Sequence, residues 1–379
     1  MTFKSSVGFA RIVAAILAKL VYIVRRFMCA KYSRSSLLTK TIIHLTSNND
    51  LKSFIRQTPA GDGIWDDYQF DFVNGRHDAD WLIAFDEPHR ECQTDLPKSR
   101  RILFRTEPQS IKFYSADFLN QFGTIVAIDA SPSFHGTTIL SQTALPWMYG
   151  LDFSNPGKAL QWDALRTNRP HTAKGEISVV CSTKNMNINQ SRRIRFLGLL
   201  KEALGERLTI YGRGFEQIAD KKEAIDGFRY HLVLENNLLT DGWTEKLADP
   251  ILGGVFPISA GAPNLNDYFD PQGFASIDIT KPKQAVAQVL NILEQDRAAL
   301  AGAAMAENRR RLMFEHNMFP LCCKIIEQLQ QEQETSILRP SEMYSFHPNI
   351  KPAWKKLLAI PKPLRPMARK LYLSLTETQ

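Results

Sequence analysis

Cysteine is scarce in this chain: five in 379 residues, at positions 29, 92, 181, 322 and 323, without CxxC spacing or a partnering histidine cluster. That pattern argues against a disulfide scaffold and a structural zinc site, and favours a reducing compartment. No Walker phosphate loop and no GxSxG elbow occur, which removes the P-loop nucleotidases and the serine hydrolases of that type. Internal repeats and low-complexity tracts are also missing. With 20 glycines, 20 prolines and 44% hydrophobic residues, the chain is neither collagen-like, nor a coiled coil, nor largely disordered. It is long enough for two ordinary domains with their own cores.

Charge of one sign is absent from the middle and concentrated at the ends. Residues 1–40 hold eight Lys/Arg and no acid, and residues 351–379 hold seven and a single Glu377. Between them, 32 basic and 38 acidic residues leave a mildly acidic body. The net charge of +8 is therefore not a nucleic-acid footprint. The stretch GFARIVAAILAKLVYIVRRF, residues 8–27, lacks a clean apolar span of ~20 residues because Arg11 and Lys19 interrupt it. On a helical wheel its cations gather on about one third of the circumference, with Ile12, Ile16, Leu20 and Phe27 on the other side. This predicts a helix lying peripherally in an anionic membrane interface, on the cytoplasmic face of a membrane. A single-pass Golgi type II anchor is the alternative. The tail 336–379 mixes Lys/Arg with Trp354, Leu357 and Tyr372 and is broken by Pro361, Pro363 and Pro366.

In the body, short apolar runs alternate with helical or loop segments, the pattern of parallel α/β sheets. TIIHLTS, DADWLIAFDE, SRRILFRTEP and GTIVAID read as strands of a first half, 41–165. A Pro/Asn/Gly-rich stretch over 151–175 reads as a linker. EISVVCS, RLTIYGRG, RYHLVLENN, VFPISAG and FASIDI read as strands of a second half, 166–335, with helices over 192–204, 244–254 and 283–300. Two doubly wound halves suit a nucleotide held at strand C-terminal ends.

Chemistry is densest over 232–269, LVLENNLLTDGWTEKLADPILGGVFPISAGAPNLNDYF. Glu235 and Glu245 can accept hydrogen bonds from sugar hydroxyls, and Lys246 near a helix N-terminus can meet a diphosphate. Read without that chemistry, Thr244 is an N-cap and Glu245 and Lys246 are solvated. The order LENN, DGWTEK, a small-residue helix and VFPIS resembles the signature of the family-10 glycosyltransferases, the α1,3/α1,4-fucosyltransferases. STKNMNINQSRRIRFLGLL and RRILFRTEP are similar to two further segments of that family.

The resemblance implies a GT-B fold, two Rossmann-like domains facing a cleft, and inverting transfer of fucose from GDP-fucose to a glycan or glycolipid acceptor, as in lipopolysaccharide or capsule assembly. It implies Glu107 as catalytic base and Arg193, Glu235, Asn236, Thr244, Glu245 and Lys246 as donor-binding residues, with no metal or other cofactor. Arg192 and Arg195 are the alternatives to Arg193 in that register. Two departures stand out. Gly242 replaces the family tyrosine, with Trp243 beside it as a ring that can take its place, and Asn237 replaces a serine. The Asp78-Ala-Asp80 motif, which binds metal–diphosphate in other transferases, directly precedes a strand, and His231 reads as a satisfied core histidine. Transfer of another nucleotide sugar, or glycan binding without catalysis, is the competing function.

Overall fold

The computed structural model describes residues 40–49, 51–72, 78–152, 154–167, 172–183, 188–333 and 343–349. The amphipathic segment expected over 8–27 and the tail beyond 349 lie outside these residues. Among the described residues no helix is long and apolar enough to cross a membrane.

The first half contains β1 (Thr41–Thr46), β2 (Ile64–Trp65), β3 (Tyr68–Asp71), β4 (Trp81–Phe85), β5 (Gln93–Thr94), β6 (Arg101–Phe104), β7 (Thr124–Ala127) and β8 (Thr137–Leu140). Seven of them form one sheet, in the order β2-β3-β1-β4-β6-β7-β8, parallel except at β2–β3. Parallel strands are covered on both faces and so read as continuous apolar runs. In β4, Trp81, Ile83 and Phe85 enter one apolar cluster, and Leu82 and Ala84 the opposite one. Edge strand β8 escapes that pattern: it is largely exposed and reads in sequence as loop.

The second half is a five-stranded, fully parallel sheet of β9 (Gly175–Val180), β10 (Leu208–Tyr211), β11 (Phe228–Leu234), β12 (Phe256–Ala260) and β13 (Ala275–Ser276). Its order, β10-β9-β11-β12-β13, reverses direction between β9 and β11. Together the two sheets give two α/β halves built on parallel strands, as the resemblance leads one to expect. The expected helix over 283–300 is two pieces, Pro282–Glu294 and Arg297–Leu300. The break falls at Asp296, whose φ of 49° is left-handed and cannot continue an α-helix. The linker stretch is also more ordered than its composition suggests, because helix Trp162–Arg166 buries Trp162 and Leu165.

After the second sheet the chain returns to the first half. Helix Met318–Gln333 sets Phe319 edge-on to Phe70 of β3, with ring centres 4.8 Å apart. Just before it, Asn317 donates from Nδ2 to the Gln57 carbonyl (2.8 Å) and accepts from Gln57 Nε2 (3.0 Å). Finally β14 (Tyr344–Ser345) pairs antiparallel with β5. One apolar cluster runs through both halves, joining Ile43, Phe85 and Phe104 to Val233, Trp243 and Leu247.

The connection leaving the first half is clamped from both sides. Buried Arg56 donates to the carbonyls of Trp147 (2.9 Å) and Tyr149 (3.2 Å). From the second half, Asp249 Oδ1 accepts from the Met148 and Tyr149 N–H groups (both 2.9 Å), and Asp220 Oδ1 accepts from Gly150 N–H (3.0 Å).

Candidate active site

A cavity of about 310 Å³ opens where the second sheet reverses direction. Such switch points, at the carboxyl ends of parallel strands, are where doubly wound sheets receive ligands. Cys181 follows β9, Arg213 follows β10, and Asn236 follows β11, so each strand of the switch delivers a residue to the wall. Helices Ile188–Leu204 and Glu245–Gly253 add Arg193, Glu245 and Lys246.

The buried stripe of the first helix is Arg193, Phe196, Leu197, Leu200 and Leu204, the three-and-four spacing of a helix face. Arg193 therefore points inward, while Arg195 is exposed and Arg192 bonds Asn189 (3.0 Å) on its own helix. The Arg193 guanidinium donates to the Leu234 carbonyl (3.3 Å) and to Asn236 Oδ1, and its buried Nε has no protein partner.

Helix Glu245–Gly253 starts at Thr244, whose hydroxyl accepts from Lys246 N–H (3.3 Å), an N-cap as its residue type requires. Glu235 is buried at the end of β11 and is bound from the same threonine. It accepts from Thr244 N–H (2.9 Å) and from the Thr244 hydroxyl (2.8 and 2.9 Å to its two oxygens). Glu235 and Thr244 thus form a post beneath the cavity; of the expected donor residues, Arg193, Asn236, Glu245 and Lys246 line it.

Two residues at this site carried no sequence signal. Lys221 lines the cavity with Nζ 3.3 Å from Glu245 Oε1 and 3.0 Å from Asp249 Oδ2. Lys246 Nζ lies 3.2 Å from Glu245 Oε1 and 3.5 Å from Glu235 Oε2. Burial pushes the Glu245 carboxyl up, but Lys221 and Lys246 outweigh it and hold the group down at about 2. For Glu235 and Asp249 burial wins, and both carboxyls are raised.

In the first half, Glu107 follows β6. Its loop is anchored by Asp129, which pairs with the fully buried Arg105 and accepts from Gln109 N–H (3.1 Å). Glu107 is exposed, yet loss of water on its protein side and the charges of Asp86 and Glu245 raise its carboxyl, with Lys246 and Lys112 opposing. Those influences place Glu107 within electrostatic reach of the cavity's lysine and glutamate. The neighbouring acids are engaged: Asp86 accepts from Lys112 (2.7 Å) and Tyr114 (2.6 Å), and Glu87 pairs with Lys112 (2.6 Å).

Trp243 does not take the place of the missing tyrosine ring. It is buried among Tyr268, Phe269 and His316. Gly242 sits in a tight turn closed by its N–H onto the Leu239 carbonyl (3.0 Å), and a Cβ there would meet that oxygen at 2.9 Å. Other candidates resolve as structural. Asp80 Oδ2 accepts from Ile42 N–H (2.8 Å) at the start of β1. His231 sits 2.8 Å from the Ser178 hydroxyl, and burial followed by Lys221 pushes it down to about 3, so it is neutral. Among the described residues no cluster of three or more His, Cys, Asp or Glu is arranged to hold a metal ion.

Residues 173–343 match the family described as glycosyltransferase family 10 (fucosyltransferase), C-terminal part. No curated protein matches the sequence. Among solved structures, an alpha1,3-fucosyltransferase with GDP-fucose is 14% identical, covering 81% of this chain and 94% of its own, with a TM-score of 0.46. An alpha1,3-fucosyltransferase structure with GDP is 16% identical over 78% and 92%, at a TM-score of 0.45. A glycosyltransferase from Rickettsia africae ESF-5 is 9% identical over 79% and 100%, at 0.41. At these scores the structural likenesses fix no residue and no activity of this chain. The family match over 173–343 spans the cavity and its residues.

Proposed function

We propose, on the premise that this chain is a family-10 glycosyltransferase over residues 173–343, that it moves fucose from GDP-fucose to a hydroxyl of a glycan or glycolipid with inversion. The observation that carries this reading is the convergence of Arg193, Glu245 and Lys246 on one cavity at the sheet's switch point, with Lys246 and Glu245 among the charges that act on Glu107 of the first half. In the reaction the acceptor oxygen attacks the anomeric carbon as the bond to the diphosphate breaks. Glu107 takes the acceptor proton. Arg193 and Lys246 meet the negative charge that grows on the leaving diphosphate, already oriented by their protein partners. Glu245 and Asn236 orient donor hydroxyls, and Glu235 and Thr244 act from beneath by fixing the helix start and Lys246.

The Nε of Arg193 is one of several buried donors without a protein acceptor, and it is the one whose side chain lines the cavity. A phosphate oxygen in the cavity supplies an acceptor. The absent aromatic at Gly242 favours a second reading, a different nucleotide sugar on the same scaffold. Hydrolysis of a panel of GDP-, UDP- and CMP-sugars separates the two. Turnover of GDP-fucose above the others is expected, and preference for a UDP-sugar overturns the fucose assignment. Attachment to the cytoplasmic face of an anionic membrane through residues 1–40 belongs to the same proposal. Release of the protein from vesicles on removing that segment is the expected result.

A further inference from the structure

Glu245 and Asp249 in the cavity wall and Glu235 behind it set three carboxylates against two lysines, Lys221 and Lys246. Glu245 Oε1 is shared between both ammonium groups, at 3.3 Å from Lys221 and 3.2 Å from Lys246. If Lys246 turns to a diphosphate, it must weaken its hold on Glu245 and Glu235. Glu235 keeps the N–H and hydroxyl of Thr244. Glu245 would then depend on Lys221.

The surroundings of Lys221 suit that task. Its backbone is fixed by a capping box: Asp220 accepts from Lys222 N–H (2.8 Å), and Glu223 accepts from Asp220 N–H (2.9 Å). Its second partner is held rigid as well, since Asp249 Oδ1 is taken by two backbone N–H groups and leaves Oδ2 for the ammonium. We infer that Lys221 is a positioning residue: it neutralises Glu245 in place, so that Lys246 is released to pair with the donor diphosphate. Without Lys221, Glu245 holds Lys246 back and the diphosphate meets a weaker partner. The inference rests on the assignment of Lys246 to the diphosphate made above.

The test is calorimetric binding of GDP and of guanosine to the full chain and two variants. Lys221→Met is expected to weaken GDP by about tenfold, the loss of one charge-assisted contact, and to leave guanosine unchanged. Lys221→Met combined with Glu245→Gln removes both charges and is expected to regain most of the GDP affinity, since the Glu245 charge then no longer holds Lys246 back. Equal loss for GDP and guanosine, or no regain in the double variant, would mean that Lys221 only shapes the pocket. If Lys221→Met fails to fold, Lys221→Gln with Asp249→Asn, which leaves no unpaired charge on Asp249, is measured against Asp249→Asn alone with the same expected loss. Wild-type binding of UDP in place of GDP would remove the fucose reading, and the comparison is then made with UDP and uridine. Wild-type binding of no nucleoside diphosphate would remove both.

Discussion

At the scale of single residues, the base role proposed for Glu107 has the most direct test. Glu107→Gln keeps the shape and loses the basicity, so transfer to an acceptor should fall by at least a hundredfold while GDP affinity, read by calorimetry, stays within twofold. Loss of water on its protein side, Asp86 and Glu245 raise this carboxyl, so the carboxylate that the proposed base role needs is present above its raised pKa and is lost as pH falls through it. The acid limb of kcat/KM should therefore lie above the usual glutamate range and disappear in the variant. Gly242→Tyr, which restores the family residue, should lower stability by about 1–3 kcal/mol in urea unfolding, since a Cβ would crowd the Leu239 carbonyl. A gain in GDP affinity without loss of stability would show that the turn adapts. Arg193 is singled out only through the family resemblance, with Arg192 and Arg195 as alternatives, since RRIR alone reads as a solvated helix start; the structure sets it on the buried stripe with Phe196 and Leu200. Lys221 and Asp249 were not legible: their meeting depends on how a 3-10 turn and a helix dock, which no local pattern encodes. Trp243 misled for the same reason, as an aromatic beside a ligand loop reads alike whether it faces ligand or core.

Among elements, helix Glu245–Gly253 carries the most. It presents Glu245 and Lys246 to the cavity from its first turn and, one turn later, holds the connection between the halves through Asp249. Gly253 at its end lets it approach Ile225, whose Cγ2 would lie 2.3 Å from any Cβ. Asp249→Leu would leave two backbone N–H groups without their acceptor and Lys221 with Glu245 alone. Breaking such a buried pair costs about 3–5 kcal/mol, and chemical denaturation should show it; a loss below 1 kcal/mol would mean that the clamp contributes little. Strands buried on both faces were readable as apolar runs, as were the main helices of the second half. Exposed edge strand β8 was not, nor was the break at Asp296, where a left-handed residue interrupts an otherwise helical composition.

For the molecule as a whole, the shared apolar cluster and the Gln57–Asn317 pair tie the two sheets together. Residues 41–379 should therefore unfold in one calorimetric transition. GDP at about 100 times its dissociation constant should raise that transition by roughly 2.7 kcal/mol of added stability. Two separated transitions, with only one responding to GDP, would show the halves to be independent. The two-half organisation was legible because parallel sheets announce themselves; the return of helix Met318–Gln333 to the first half was not, since an amphipathic helix does not name the surface it covers. That return has a mechanical corollary. The described body is entered at Thr41 in β1 and left after Asn349, whose side chain donates to the Phe113 carbonyl (2.9 Å), so both ends of the path lie in the same half. The second half is a closed excursion, outside the line of force when the ends are pulled. Whatever grips the chain at either end grips the half that carries Glu107, and the second half hangs from it unloaded.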